Sequence, residues 1–470
     1  MDAEGRFRVL IASNSRISGA DRPLPRSPHP SSNSWREENR VKRGISPAPP
    51  NYRRNFIAFI GDYVFYGVAS SFADPGTVAP TFIGMLTDSE PLIGLIGTVY
   101  AAGWLLPQLV GAAVMNDQPR KKPYLMAMAT IGRPLMLLLA LTMWAGLPRY
   151  PAPMLTVFFT AYGLFMLLDG VASVAWLDIL ARAVPLTRRG RLIGIAQLIG
   201  GIMGIGVGAA VEAILSNPAL PFPRNYALLF TLSGLAHIPS VIALSLIREP
   251  LANRSPDKAH PTLREMIRQL AGVWRHDTDF RRLMAARWLT GLMDLAVTFY
   301  VLHAGQEFGV LQGRLLAARM AGGILASLGF GWLSERKGPR VVICIGAVAA
   351  VAAPLLALLL HLTQPGSVVV ASLAYAVIYL LLGITLSSRM LGHLNYIMEM
   401  ATHEQRPIYI GLANTLAGLL VPAATLGGVL LEATSYPVLF VITAVCTGGG
   451  LIASLGLRDP SSGEPSTAWR

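Results

Sequence analysis

Apolar runs of about 20 residues, the length that crosses ~30 Å of hydrocarbon as an α-helix, recur along this chain from residue 53 to 458. The cleanest, Val341 to Leu360, contains no charged residue. The pattern predicts six helical spans near 53–75, 92–114, 124–147, 153–179, 191–215 and 226–247. Arg248-Glu249-Pro250 then closes the first set, because proline cannot extend a helix. Six more follow, from Arg282 onward and near 312–333, 341–361, 367–390, 407–431 and 436–457. The expectation is an all-α membrane protein of twelve transmembrane helices.

Composition agrees. The 470 residues are 53% hydrophobic and 14% charged, where soluble proteins carry about 25% charge. The mean hydropathy is +0.50. A formal charge of +13 raises the question of nucleic acid, but its distribution points elsewhere. With a cytoplasmic start, 20 Lys/Arg fall in or beside the inner loops, against Arg149 and Arg224 outside. Such asymmetry orients membrane proteins, so both termini are expected in the cytoplasm and no nucleic-acid partner is expected. Cys344 and Cys446 both lie in apolar spans and read as small packing residues, not a disulfide framework.

Two stretches do not fit the spans. Residues 1–52 are rich in Arg, Ser and Pro and read as a disordered cytoplasmic tail without a secretory signal. The loop 251–282 contains Thr262-Leu-Arg-Glu265, a capping box, followed by apolar residues at helical spacing. That predicts an amphipathic helix, lying either on the membrane surface or against the ends of the spans. Residues 459–470 form a second cytoplasmic tail.

The chain repeats. Ile193-Gly-Ile-Ala-Gln-Leu-Ile-Gly-Gly201 answers Ile410-Gly-Leu-Ala-Asn-Thr-Leu-Ala-Gly418, and the same offset matches Asp178 with Asn395. Ala113-Val-Met-Asn-Asp117 answers Gly331-Trp-Leu-Ser-Glu335. The spans therefore form two pseudo-symmetric six-helix halves, 53–250 and 283–458.

The hairpin Gly331-Trp-Leu-Ser-Glu-Arg-Lys-Gly-Pro-Arg340 holds one acid, three bases and a turn glycine between two apolar spans. It resembles the motif between the second and third spans of each half of major facilitator superfamily (MFS) transporters. In the first half Ala113, Gln118 and Arg120 depart from that pattern. The resemblance implies two halves rocking about a central cavity, a proton-coupled secondary transporter in the plasma membrane, a monomer and no cofactor. Export of small amphipathic solutes ranks first, and uptake of a sugar or organic anion second. It also implies gating roles for Asp117, Arg120, Asp178, Gly331, Glu335, Arg336, Gly338 and Arg340, with Arg120 the partner of Asp178. A receptor or scaffold on a transporter fold is the alternative.

Charges at bilayer depth are costly and mark function by default. The deep acids are Asp62, Asp169 and Asp294, with Glu212 near an outer end. The deep bases are Arg133 and Arg319, with Arg287 and Arg314 nearer the ends. The resemblance places the three aspartates on cavity-lining spans. Asp62 and Asp294 have no opposite charge three or four positions away, so they read as unpaired proton carriers. The competing reading pairs them with Arg133 or Arg319. The glycines from Gly200 to Gly208 suit close packing between the halves. No phosphate-binding loop, metal-binding helix or nucleophile elbow occurs, which argues against an ATP-driven pump or an enzyme. His237, His303 and His361 read as isolated packing residues.

Overall fold

The computed structural model describes residues 50–115, 118–250, 268, 272–402 and 405–458. The N-terminal tail, Asp117 and most of the central-loop helix expected from the capping box lie outside the described residues, as does the C-terminal tail. The described chain is helical. Its long helices are α1 Tyr52–Phe72, α2 Glu90–Met115, α3 Lys122–Trp144, α4 Pro151–Ala183, α5 Leu186–Leu215 and α6 Arg224–Leu246. The second half contributes α7 Thr278–Phe308, α8 Gln312–Lys337, α9 Pro339–Thr363, α10 Val368–Met400, α11 Ile408–Ala433 and α12 Tyr436–Leu455. Ten of these, α3 to α12, are long and apolar enough to cross a membrane. The other two, α1 and α2, pack into the same bundle, α1 on α5 and α6, α2 on α4 and α11.

Several rods are broken where the sequence dictates. In α3 the break falls at Arg133, because Pro134 has no N–H to continue the ladder. A turn of 3₁₀ helix at Gly418–Leu420 and Pro422 interrupts α11. The α7 rod turns at Leu292–Met293, immediately before Asp294. By contrast α10 runs unbroken for 33 residues, ten past the expected end at residue 390. Arg389, one residue from the expected end, therefore lies well within the helix.

The core is not one mass. At the end remote from the hairpins a single apolar cluster joins both halves, including Phe82, Phe158 and Phe230 with Phe299, Tyr375 and Phe440. At the hairpin end the core divides. Phe59, Leu125, Ile179 and Leu244 form one cluster entirely within the first half. Phe280, Met284, Tyr396 and Tyr409 form another entirely within the second. The halves are thus fused at one end and separately packed at the other.

Candidate functional site

Small residues decide where the halves touch. Gly201, Gly204 and Gly208 lie on one face of α5, and Cβ atoms built there would meet Ile324, Met320 and the Gly313 carbonyl of α8. A Cβ on Gly313 would in turn stand 2.4 Å from the Gly208 carbonyl. Between α2 and α11, a Cβ on Gly94 would stand 2.3 Å from the Ala424 carbonyl. Backbones this close admit no side chain. Gly200 and Gly206 do not take part in this contact.

Polar contacts between the halves cluster at the same end. Arg319 of α8 pairs with Asp74, just past α1, and Asp74 Oδ1 also accepts from Gly76 N and the Thr77 hydroxyl at 2.9 and 3.0 Å. Tyr379 OH donates to the Gly76 carbonyl at 3.0 Å, and Gln312 Nε2 to Tyr226 OH at 3.1 Å. Thr98 and Thr425 hydroxyls lie 2.8 Å apart, and Arg314 pairs with Glu212. Arg319, expected to neutralise a deep aspartate, instead closes this seal. Asp74 had no motif to announce it.

Inside the bundle, Asp62 and Asp294 are paired, which corrects the expectation of free carboxylates. Asp62 accepts from Arg133 Nη2 at 3.1 Å, Ser240 Oγ at 2.6 Å and Trp176 Nε1 at 2.8 Å. Both members of the ion pair are buried. A carboxylate with three donors has little acceptor capacity left. Asp169 accepts from Tyr66 OH at 2.8 Å, and the Arg133 guanidinium sits 5.6 Å from the Tyr66 ring centre.

Asp294 differs in partner and exposure. Arg389 Nη1 donates to both its oxygens at 3.0 and 3.1 Å, and the side chains are 34% and 25% exposed for acid and base. No sequence separation signals this pair, because it joins α7 to α10 across 95 residues. Arg287 lies two turns before Asp294, with Nη2 3.4 Å from Asn414 Oδ1. On the other half Tyr100 is 44% exposed, yet lies within electrostatic reach of Asp74, Arg319 and Asp169.

At the hairpin end each half is tied to itself. Glu249 accepts from the backbone N–H groups of Lys121 and Lys122 at 2.7 and 3.0 Å and pairs with Arg182 at 2.8 Å. Asp178 pairs with Lys121 Nζ at 3.1 Å and with Arg182. Lys121, not the exposed Arg120, is thus its loop partner. In the second half Asn395 Nδ2 donates to Ser334 Oγ at 3.2 Å, the neutral counterpart of the Asp178 contact. Arg340 Nη2 reaches the Leu455 carbonyl at 2.6 Å, Arg336 lies 4.7 Å from the Trp332 ring centre, and Gly331 and Glu335 are exposed. Gly338 has φ 78°, ψ 162°, open to glycine alone.

The histidines are not all isolated. His303 bonds Tyr375 OH through Nδ1 and lies 2.9 Å from His361 Nδ1 through Nε2. His237 stands apart, its Nδ1 2.9 Å from the Ser233 carbonyl. Among the described residues no group of three His, Cys, Asp or Glu could hold a metal ion.

The fold is that of a multi-pass membrane transporter. Residues 283–470 match the family model of the Major Facilitator Superfamily, and the solved structures the chain resembles include transporters of that type, as the hairpin motif implied. One is the nucleoside transporter NupG, with a TM-score of 0.63, 12% identity, and coverage of 86% of this chain and 99% of that one. A POT family transporter in complex with 5-aminolevulinic acid gives 0.61 at 12% identity, covering 86% and 96%. The fucose:proton symporter of E. coli gives 0.52 at 14%, covering 87% and 99%. By sequence, an uncharacterized protein of Mycobacterium tuberculosis and one of Mycobacterium bovis are each 25% identical over 373 residues, 78% of this chain and 70% of theirs.

Proposed function

We propose that this chain is a proton-coupled secondary transporter of twelve spans in the plasma membrane. It would move a small amphipathic solute by alternating access, outward in direction. The divided core carries the reading: one apolar cluster spans both halves at one end, while at the other every cluster belongs to one half alone. Two bodies joined through glycine faces and a few polar contacts can exchange which end is joined, whereas a continuous core could not. The excess of Lys/Arg at the hairpin end supports placing that end in the cytoplasm, so the structure would be the inward-facing state.

Asp294 is the proposed proton carrier. Its partly exposed pair with Arg389 can be reached by water, unlike the buried Asp62 with its three donors. Protonation would release Arg389 and alter the balance between states.

The test is transport in proteoliposomes holding a pH-sensitive dye, challenged with a solute library under an imposed proton gradient. Proton movement that depends on a solute, and its loss in folded, monodisperse Asp294→Asn, is the expected result. A library that never moves protons, with end accessibility that never alternates, would refute the reading.

A further inference from the structure

Arg287 and Gly291, one turn apart, share a face of α7 just before it turns at Leu292–Met293, and Asp294 opens the next stretch. Gly291 makes room there: a Cβ would stand 2.3 Å from Leu420 Cδ1 and 3.7 Å from Arg389 Nη2. Arg287 thus lies within the field of Arg389, which in turn holds Asp294. Arg389 spends only Nη1 on Asp294, bridging both oxygens. Its Nη2 and Nε have no hydrogen-bond partner among the described residues. Arg287 has no carboxylate partner there either, only the 3.4 Å contact with the neutral Asn414 amide. One turn along α10, His393 is 3% exposed and lies in the field of both arginines. Its ring is close to the Ser388 and Arg389 carbonyls but in hydrogen-bond geometry with neither.

The local balance is two cations to one acid. In the first half it is reversed, with Asp62 and Asp169 around Arg133. Like charges gathered at membrane depth are costly unless a counter-charge joins them. A guanidinium fork with unused N–H groups matches the paired oxygens of a carboxylate or phosphate.

We propose that Arg287, Arg389 and Asn414 form an oxyanion site, and that the transported solute is a small organic anion held there by its carboxylate or phosphate group. The assignment rests on the transporter reading for its cargo, though not for the binding itself. The anion and Asp294 compete for Arg389. Protonating Asp294 therefore strengthens anion binding, so proton and anion bind together and move the same way, and for an anionic cargo this replaces the outward direction with uptake.

The full chain in phosphatidylcholine nanodiscs is titrated with benzoate, succinate and inorganic phosphate, and with benzamide and succinamide as neutral counterparts, followed by thermal shift and calorimetry. At least one anion should stabilise the protein while its amide does not. Arg287→Gln should weaken that binding tenfold or more, Arg287→Lys less, and Asp294→Asn should tighten it several-fold. Equal stabilisation by amides, or unchanged binding in folded Arg287→Gln, overturns the site. If phosphatidylglycerol alone gives the Arg287-dependent shift, the site holds lipid headgroups and the solute assignment is overturned. Accessibility of cysteines at the two ends separates the two readings. Anion binding without alternation supports the site and refutes transport, whereas alternation driven only by neutral solutes refutes the site.

Discussion

Arg319 reaches from one half of the molecule to Asp74 in the other, an ion pair whose acid is nearly buried and whose base is mostly so. The pair exists only while this end is sealed, because the partners belong to separate six-helix bodies. Removing one partner of a buried pair costs on the order of 3–5 kcal/mol, here charged to one conformation alone. Asp74→Asn keeps an oxygen to accept from Gly76 N and Thr77 but loses the full charge. We expect a folded protein with the sealed end opened, read as faster alkylation of a cysteine replacing Thr425 in a background lacking Cys344 and Cys446. An unchanged rate would show that the pair does not hold the seal.

Thr98 and Thr425 offer a direct lock. Their hydroxyls are 2.8 Å apart across the halves. In a background lacking Cys344 and Cys446, Thr98→Cys with Thr425→Cys should form a disulfide under mild oxidation. Transport should stop and return on reduction. Full transport by the cross-linked species would contradict alternation at this end.

Asp62 and Arg133 should behave as structure. Asp62→Asn or Arg133→Gln alone leaves one charge buried without its partner and should destabilise by roughly 3–5 kcal/mol. The double variant should recover part of the melting temperature, since no net charge then remains. Additive losses would indicate that the two residues are not energetically coupled.

Gly338 occupies a backbone conformation at φ 78° that a β-branched residue strongly resists. Gly338→Val should cost about 1–3 kcal/mol of local strain. Because the strain sits at the hairpin, we expect transport to fall more than membrane yield. Normal activity at normal expression would remove the hairpin from the gating scheme.

Orientation can be read with Lys337→Cys and Ser435→Cys, both at exposed positions at opposite ends of the bundle. An impermeant thiol reagent on intact cells should label the second and spare the first. The reverse result would invert the topology.

What the sequence determined by itself is what depends on local chemistry. Apolar runs the length of a bilayer can satisfy their backbone only as helices, so the all-helical architecture was legible without coordinates. The repeat of Ile193–Gly201 in Ile410–Gly418, and the turn glycine at Gly338, were equally open to reading along the chain. Tertiary structure alone decided which charges meet. Asp294 looked unpaired because its neighbours three and four positions away carry no charge, but its partner Arg389 is 95 residues on, in another helix. Asp74 lay among small residues past α1 and gained meaning only when Arg319 arrived from the other half. Lys121 replaced Arg120 on Asp178 because a turn of one residue swings a side chain to a different face. The physical reason is common to all three. Hydropathy and helix period are sums over neighbours in the chain, whereas an ion pair in a membrane bundle depends on the few ångströms by which separate helices happen to approach.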